Sequence, residues 1–320
     1  MNVLLTGGAG FIGSHVADRL LRDGHEVTCI DNFDPFYSSD SKKNNVQAHL
    51  SNPHYQLIDE DITNTDKILN RLKGTPPDLI LHLAAKAGVR PSISNPQAYA
   101  HTNVQGTISM LEIARKLNVP KFIFASSSSV YGSNPNIPWN EADLALSPIS
   151  PYASSKIAAE FFGKTYCSLY AIDFTALRFF TVFGPRQRPD LAIHKFFSAL
   201  LKDEPITVYG DGTTRRDYTY IDDIVNGIYG AIEKTLAPGQ FKVYNLGNSG
   251  TVTLNELIAA IEKVVGKKFK IKTETEQPGD VSCTYANISS AKKDLFFSPS
   301  TTLHQGLEAF YNWYKKTQVS

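Results

Sequence analysis

Little in the chain marks a specialised protein class. Only three cysteines are spread over 320 residues, at Cys29, Cys167 and Cys283, with no Cys-x-x-Cys pair and no Cys/His cluster. So odd and scattered a set supports neither a disulfide framework nor a zinc site. The eight histidines show no metal-ligand spacing, and no metal is expected. No run approaches the roughly 18 apolar residues of a membrane-spanning helix. The net charge is +1 with no basic block, which argues against nucleic acid and anionic membrane as partners. The first apolar run, "NVLLT", starts at residue 2 and leaves no room for a signal peptide, so a cytoplasmic protein is the expectation. The chain has no internal repeats and no low-complexity tract. The ordinary apolar share, 42%, leaves one large soluble domain or two medium ones.

What the chain does have is alternation. Short Val/Ile/Leu-rich runs recur at 2–6, 26–31, 55–58, 78–83, 120–125 and 172–178. Helical stretches lie between them, near 11–23, 41–50, 65–73, 95–118 and 151–170. Such a rhythm predicts an α/β fold, a doubly wound parallel sheet of Rossmann type with helices on both faces. After residue 178 the rhythm loosens into the polar loops "GPRQRPD" and "GDGTTRRD". A helix-strand segment resumes at 221–246, and an amphipathic helix closes the chain near 301–317. This predicts a dinucleotide-binding domain from residues 1–178 plus about 220–246. A smaller interleaved C-terminal substrate domain would take about 179–219 plus 247–320.

The first strand runs straight into "TGGAGFIG". Gly7, Gly10 and Gly13 sit where a strand turns into a helix, which lets backbone approach a pyrophosphate at a helix N-terminus. The next strand, "EVTCIDN", ends in Asp31. An acidic side chain there accepts from adenosine ribose hydroxyls and repels a 2′-phosphate, favouring NAD over NADP. The third strand ends in "DEDI", where Asp61 is placed to accept from an adenine amino group with Ile62 on the ring, or to cap the following helix. Further on, "SPYASSKIAAE" sets Tyr152 and Lys156 four apart on one helix face. An ammonium beside a phenol favours the phenolate, so a tyrosine can serve as a base near neutral pH.

"TGGAGFIG", "HLAA", the strand-end serines of "SSSSVYG" and "YASSK" together resemble the extended short-chain dehydrogenase/reductase family, and within it the nucleotide-sugar epimerases and dehydratases. The resemblance runs over nearly the whole chain. It implies bound NAD, with Phe11, Ile12, Asn32, Leu83, Ala84, Ala85, Lys86 and Asn103 joining the glycines, Asp31, Asp61 and Ile62 as cofactor residues. It makes Tyr152, Lys156 and Ser127 the catalytic set, and it implies a homodimer built through a four-helix bundle of the helices near 95–118 and 151–170. Dehydratases carry Asp-Glu immediately before "VYG", and UDP-glucuronate decarboxylases a Glu in the last slot. Here Ser128 and Ser129 stand there, which leaves no acid and base for elimination and points to epimerisation at C4.

"AAKAGVRPSISNP" and "LRFFTVFGPRQRPD" resemble the UDP-glucuronate 4-epimerase branch; UDP-glucose 4-epimerases usually have Asn where Thr181 stands. The resemblance makes Ser128, Ser129, Thr181 and Arg188 candidates for a uronic acid carboxylate. It places Thr207 and Tyr209 about the uracil and Arg216 on the pyrophosphate, with Asp280 of "QPGD" in a second phosphate segment. Gln277 stands where many epimerases have Arg, and Arg90 is a candidate replacement. The alternatives are UDP-glucose or UDP-N-acetylglucosamine epimerisation on the same site, and a non-catalytic NAD-bound scaffold.

Overall fold

The structure, a computed structural model, describes residues 1–143, 145–234, 236–275 and 281–319. Seven parallel strands form the main sheet, in the order β11-β6-β5-β4-β1-β2-β3. Its first half is β1 (Asn2–Thr6), α1 (Phe11–Arg22), β2 (Glu26–Asp31), α2 (Ser39–Val46), β3 (Tyr55–Asp59), α3 (Thr65–Arg71) and β4 (Leu79–His82). Three helical pieces follow, α4 (Val89–Ser94), α5 (Pro96–Tyr99) and α6 (Gly106–Lys116), then β5 (Lys121–Ser127), α7 (Pro151–Tyr170) and β6 (Asp173–Phe179). The later chain gives β7 (Thr181–Phe183), α8 (Ala192–Leu201), β8 (Ile206–Tyr209), β9 (Arg215–Arg216), β10 (Tyr218–Tyr220) and α9 (Ile221–Glu233). It ends with β11 (Phe241–Leu246), β12 (Val252–Thr253), α10 (Leu254–Val265), β13 (Ile271–Glu274), α11 (Ser289–Leu295) and α12 (Leu303–Val319).

Strands buried on both faces need apolar side chains on both, and two clusters flank the sheet. One gathers Val3, Leu5, Ile123 and Leu177 with α1 and α9; the other gathers Leu4, Ile80, Phe122 and Phe174 with α6 and α7. A third cluster joins α8, α10 and α12 through Phe197, Leu257 and Phe310, apart from the main sheet. Three two-stranded sheets, β7–β10, β8–β13 and β9–β12, belong to this later half. Strand order reverses between β1 and β4, where ligands of doubly wound sheets bind.

The stretch expected as one helix at 95–118 is interrupted. Residues 100–105 form a π-helical turn between α5 and α6. A wide turn of this kind re-aims side chains, often beside functional sites. Here it carries Asn103, whose amide donates to the Lys86 carbonyl and the Ser155 hydroxyl while its oxygen accepts from the Lys86 N–H. Asp222 and Asp223 read as caps of the helix at 221; Asp223 instead accepts from the Ser300 and Thr301 amides, tying α9 to the segment before α12.

Among the described residues, the most deeply buried ion pair links α7 to β6. Glu160 and Arg178 are each 4% exposed, joined by Nε–Oε1 and Nη2–Oε2 bonds of 3.0 and 2.8 Å. Removing one partner of such a pair strands a charge in the core and costs about 3–5 kcal/mol. Glu160→Ala is expected to lose that much stability in urea unfolding, and the double replacement Glu160→Met with Arg178→Met to regain most of it. Equal losses for single and double variants would show that the pair's charge is not what holds α7.

Candidate active site

A cavity of about 490 Å³ opens at the β1/β4 switch point. The glycine turn forms its floor. Gly7 adopts φ 72°, and a Cβ there would stand 2.7 Å from the Ala84 amide nitrogen; at Gly13 it would meet the Gly7 carbonyl oxygen at 2.1 Å. Only glycine allows strand, turn and α1 to pack this closely, so the cradle suits a pyrophosphate at a helix N-terminus. Gly10, Phe11, Ile12, Asn32, Leu83, Ala84 and Ala85 complete this end. Asp31 accepts from the Ala9 and Phe33 amides, and its carboxyl is raised above the usual range chiefly by burial. It therefore braces the glycine turn as well as lining the cavity.

Asp61 lines the cavity with Ile62. One carboxylate oxygen takes both Thr63 donors and the other takes Asn32, so its turn role and its exposure to the cavity coexist. Lys86 lines the wall and pairs with Asp34 at 2.8 Å. Asn103 is the exception among the expected cofactor residues. It is 1% exposed and not on the cavity wall. Its bonds to Lys86 and Ser155 make it a strut between the β4 loop and α7.

The residues expected to be catalytic converge on the other end. β5 carries the serines out of the sheet, and alternation parts their side chains. Ser126 donates into the core to Glu160, whereas the Ser127 hydroxyl caps the short 3₁₀ turn at 128–131 by accepting from the Ser129 amide at 3.1 Å. Ser127, Ser128 and Ser129 all line the cavity, with Tyr152, Lys156, Thr181 and Arg188. α7 starts at Pro151 and is capped by Ser150, which accepts from the Ala153 amide, so Tyr152 stands in its first turn.

The electrostatics differ from a simple tyrosine–lysine pair. Burial raises the Tyr152 phenol above its ordinary range, opposed by a hydrogen bond with Ser127 and by the Arg188 charge. Lys156 donates to the Ala125 carbonyl at 2.8 Å, and its ammonium is 6.0 Å from the Tyr152 ring centre. Burial pushes Lys156 down to about 7, opposed by Glu160. In the protein alone, then, burial outweighs Ser127 and Arg188 and favours the neutral phenol, while the same burial favours the neutral amine at Lys156. Arg188 reaches the cavity with both prongs already on Asp190, at 2.9 and 2.7 Å.

The residues expected around the nucleotide do not line this cavity. Arg90 lies over the Tyr209 ring at 4.9 Å, joining α4 to β8, while Thr207 sits on β8 beside β13 and Arg216 on β9. Asp280 and Gln277 fall outside the described residues. Sequence reasoning missed Asp34, Phe36, Tyr37 and Lys42, which wall the cavity. Lys42 donates to the Asp34 carbonyl at 2.6 Å and lies over the Tyr37 ring. Their signal was an aromatic pair and a lysine directly after the strand that ends in Asp31. Among the described residues no group of three or more His, Cys, Asp or Glu could hold a metal ion, and no helix is long and apolar enough to cross a membrane.

A glycine cradle at the switch point, an acidic strand end and a buried Tyr-x-x-x-Lys beside a serine shelf define a dinucleotide-dependent enzyme of the Rossmann class. The NAD dependent epimerase/dehydratase family matches residues 3–247, and the chain belongs to it, with NAD as its cofactor. It is 40% identical to UDP-glucuronate 4-epimerase 2 of Arabidopsis thaliana over 98% of this chain and 76% of that protein. It superposes with a TM-score of 0.93, at 38% identity, on the UDP-glucuronic acid 4-epimerase of Bacillus cereus in complex with UDP-glucuronic acid and NAD, covering 99% of this chain and all of that one. The UDP-glucose 4-epimerase of Thermotoga maritima follows at 0.90 and 32%, covering 99% and 100%.

Lys156 gives a pH-dependent expectation. Its folded pKa of about 7 lies below the free value of 10.5, so folding expels a proton and burial destabilises the protein below about pH 10. Cofactor-free Lys156→Met is therefore expected to melt above the wild type at pH 7. The gap should narrow between pH 7 and 10 as the unfolded lysine loses its charge too. A gap independent of pH would show that the ammonium is not the destabilising group.

Proposed function

We infer that the protein is an isomerase that inverts C4 of a UDP-sugar, and that it interconverts UDP-glucuronate and UDP-galacturonate. What carries this reading is the shelf of hydroxyls, Ser127, Ser128, Ser129 and Thr181, lining one cavity with Tyr152 and Arg188. The two slots before "VYG" hold no carboxyl group, so they offer no acid or base for elimination.

When bound in the glycine cradle, NAD would supply a reversible hydride acceptor for C4, so that net redox would be zero. Proton handling falls to the chain. Ser127, hydrogen-bonded to Tyr152, relays the 4-hydroxyl proton to the Tyr152 phenolate, which becomes the phenol and gives the proton back when C4 is reduced. Lys156, 6.0 Å from the ring centre, favours that phenolate when it is itself charged. Oxidation at C4 of a uronic acid makes a β-keto acid, which loses carbon dioxide readily. Ser128, Ser129, Thr181 and Arg188 are assigned to hold that carboxylate away from alignment with the ketone. We assign residues 1–178 with about 220–246 to NAD, and about 179–219 with 247–320 to the nucleotide sugar, with Thr207 and Tyr209 about the uracil and Arg216 on the diphosphate. The stacking of Arg90 on Tyr209 supports Arg90 as part of the nucleotide end.

A second reading, a UDP-glucose or UDP-N-acetylglucosamine 4-epimerase, is favoured by one observation. Asp190 neutralises Arg188, which leaves the shelf without a free positive charge from that loop. A panel of UDP-sugars, incubated without added NAD and followed by NMR, separates the two. UDP-glucuronate is expected to turn over best. A charge-assisted contact is worth roughly 1.5–3 kcal/mol, so Arg188→Ala should slow the uronate about ten- to a hundred-fold and spare UDP-glucose. A wild type that prefers UDP-glucose overturns the uronate assignment.

The same reading includes a homodimer. Phe161, Phe162, Leu169 and Tyr170 of α7 are exposed apolar residues, an arrangement suited to a partner helix. Light scattering at micromolar concentration is expected to give twice the chain mass, and Phe161→Glu with Phe162→Glu to give the monomer. A monomeric wild type would count against the bundle.

A further inference from the structure

The loop that brings Arg188 to the cavity is held from the cofactor side. His15 of α1 places Nε2 2.9 Å from the Pro185 carbonyl oxygen, and a ring nitrogen facing a carbonyl must carry the proton. Burial lowers the His15 pKa, with Arg186 acting in the same direction, so the neutral ring is the donor. One turn further along α1, the Asp18 carboxylate pairs with Arg186 at 2.7 Å and with His49 at 2.6 Å. Burial works against that carboxylate, and its two partners outweigh burial and hold it below the usual range. Arg186 itself has φ 62°, a left-handed conformation that a non-glycine residue keeps only when its surroundings dictate it. Past Arg186, the Gln187 carbonyl accepts from His194 at 2.8 Å, and Asp190 takes the Arg188 fork.

We propose that His15 and Asp18 are positioning residues for Arg188: they register loop 184–190 against the helix that opens at the glycine turn. The guanidinium is thereby placed relative to the cofactor cradle, and not only relative to the later half of the chain. In an epimerase the sugar must turn while its C4 keeps its distance to the nicotinamide, so a carboxylate anchor measured from α1 serves both faces of the sugar. The inference rests on the uronate reading above.

Steady-state kinetics of wild type, Asp18→Ala, Arg188→Ala and the double variant test it, with UDP-glucuronate and UDP-glucose side by side. A partly exposed ion pair contributes modestly, so Asp18→Ala is expected to raise KM for UDP-glucuronate about two- to fivefold with kcat little changed. UDP-glucose should not respond, and the double variant should be no worse than Arg188→Ala. Additive losses, or an equal rise in KM for both sugars, would overturn the positioning role. Arg188→Ala without effect on the uronate would remove the substrate reading itself, a result distinguishable because it does not involve Asp18. Asp18→Asn, which keeps a hydrogen-bond acceptor for His49 and drops the charge on Arg186, should show the same pattern at smaller amplitude. It serves if the alanine variant does not fold.

Discussion

Glu160 and Arg178 meet almost without water, and the geometry of the catalytic end depends on where they meet. Glu160 lies one turn beyond Lys156 and two beyond Tyr152 on α7, while Arg178 lies on β6 next to the strand that ends in the serines. The same carboxylate accepts from Ser126, the residue before Ser127. One buried contact thus fixes the helix that carries Tyr152 and Lys156 against the strand that ends in Ser127. Gly163 allows the approach, since a Cβ there would stand 2.4 Å from the Phe174 ring. A buried pair of this kind is poor evidence for net stability, and it is better understood as a device that specifies position.

Desolvation governs the chemistry around that contact. It raises Tyr152 and lowers Lys156, driving apart a phenol and an amine that both titrate near 10 in water, because burial disfavours the charged form of each. His82, from "HLAA", follows the same rule: burial holds it near 3, between the hydroxyls of Thr6 and Thr107. It is a neutral core residue that bonds β1 to β4's neighbouring helix, and the motif's role at the site is to shape the strand end rather than to react. Burial makes the pairing of Arg188 with Asp190 count for more than it would at the surface.

Much of this was readable in one dimension. The six strand positions fell within two or three residues of their expected ends because parallel strands must be apolar on both faces, and that leaves unbroken Val/Ile/Leu runs. The glycine turn, Asp31 and the Tyr-x-x-x-Lys spacing were legible because each is local, a turn, a strand end and one helical face. Asn103, expected among the cofactor residues, lies behind the cavity wall and ties Lys86 to Ser155. The helix at 95–118 hid a π-helical turn, since helical periodicity does not reveal one extra residue per turn.

The sequence alone therefore carried the fold class and the cofactor, and it set Tyr152 and Lys156 on one helix face, since these follow from residue types at short, fixed separations. Tertiary structure decided the rest. It alone brought Phe36, Tyr37 and Lys42 to the cavity wall and laid Arg90 over Tyr209, 119 residues apart by number. It set Asp190 on Arg188, changing a free charge into a paired one, and it clamped Pro185 and Arg186 to α1. Contacts across such separations depend on the packing of whole layers, and the pKa of each group depends on how much water that packing removes. Neither quantity is encoded in any short stretch of residues.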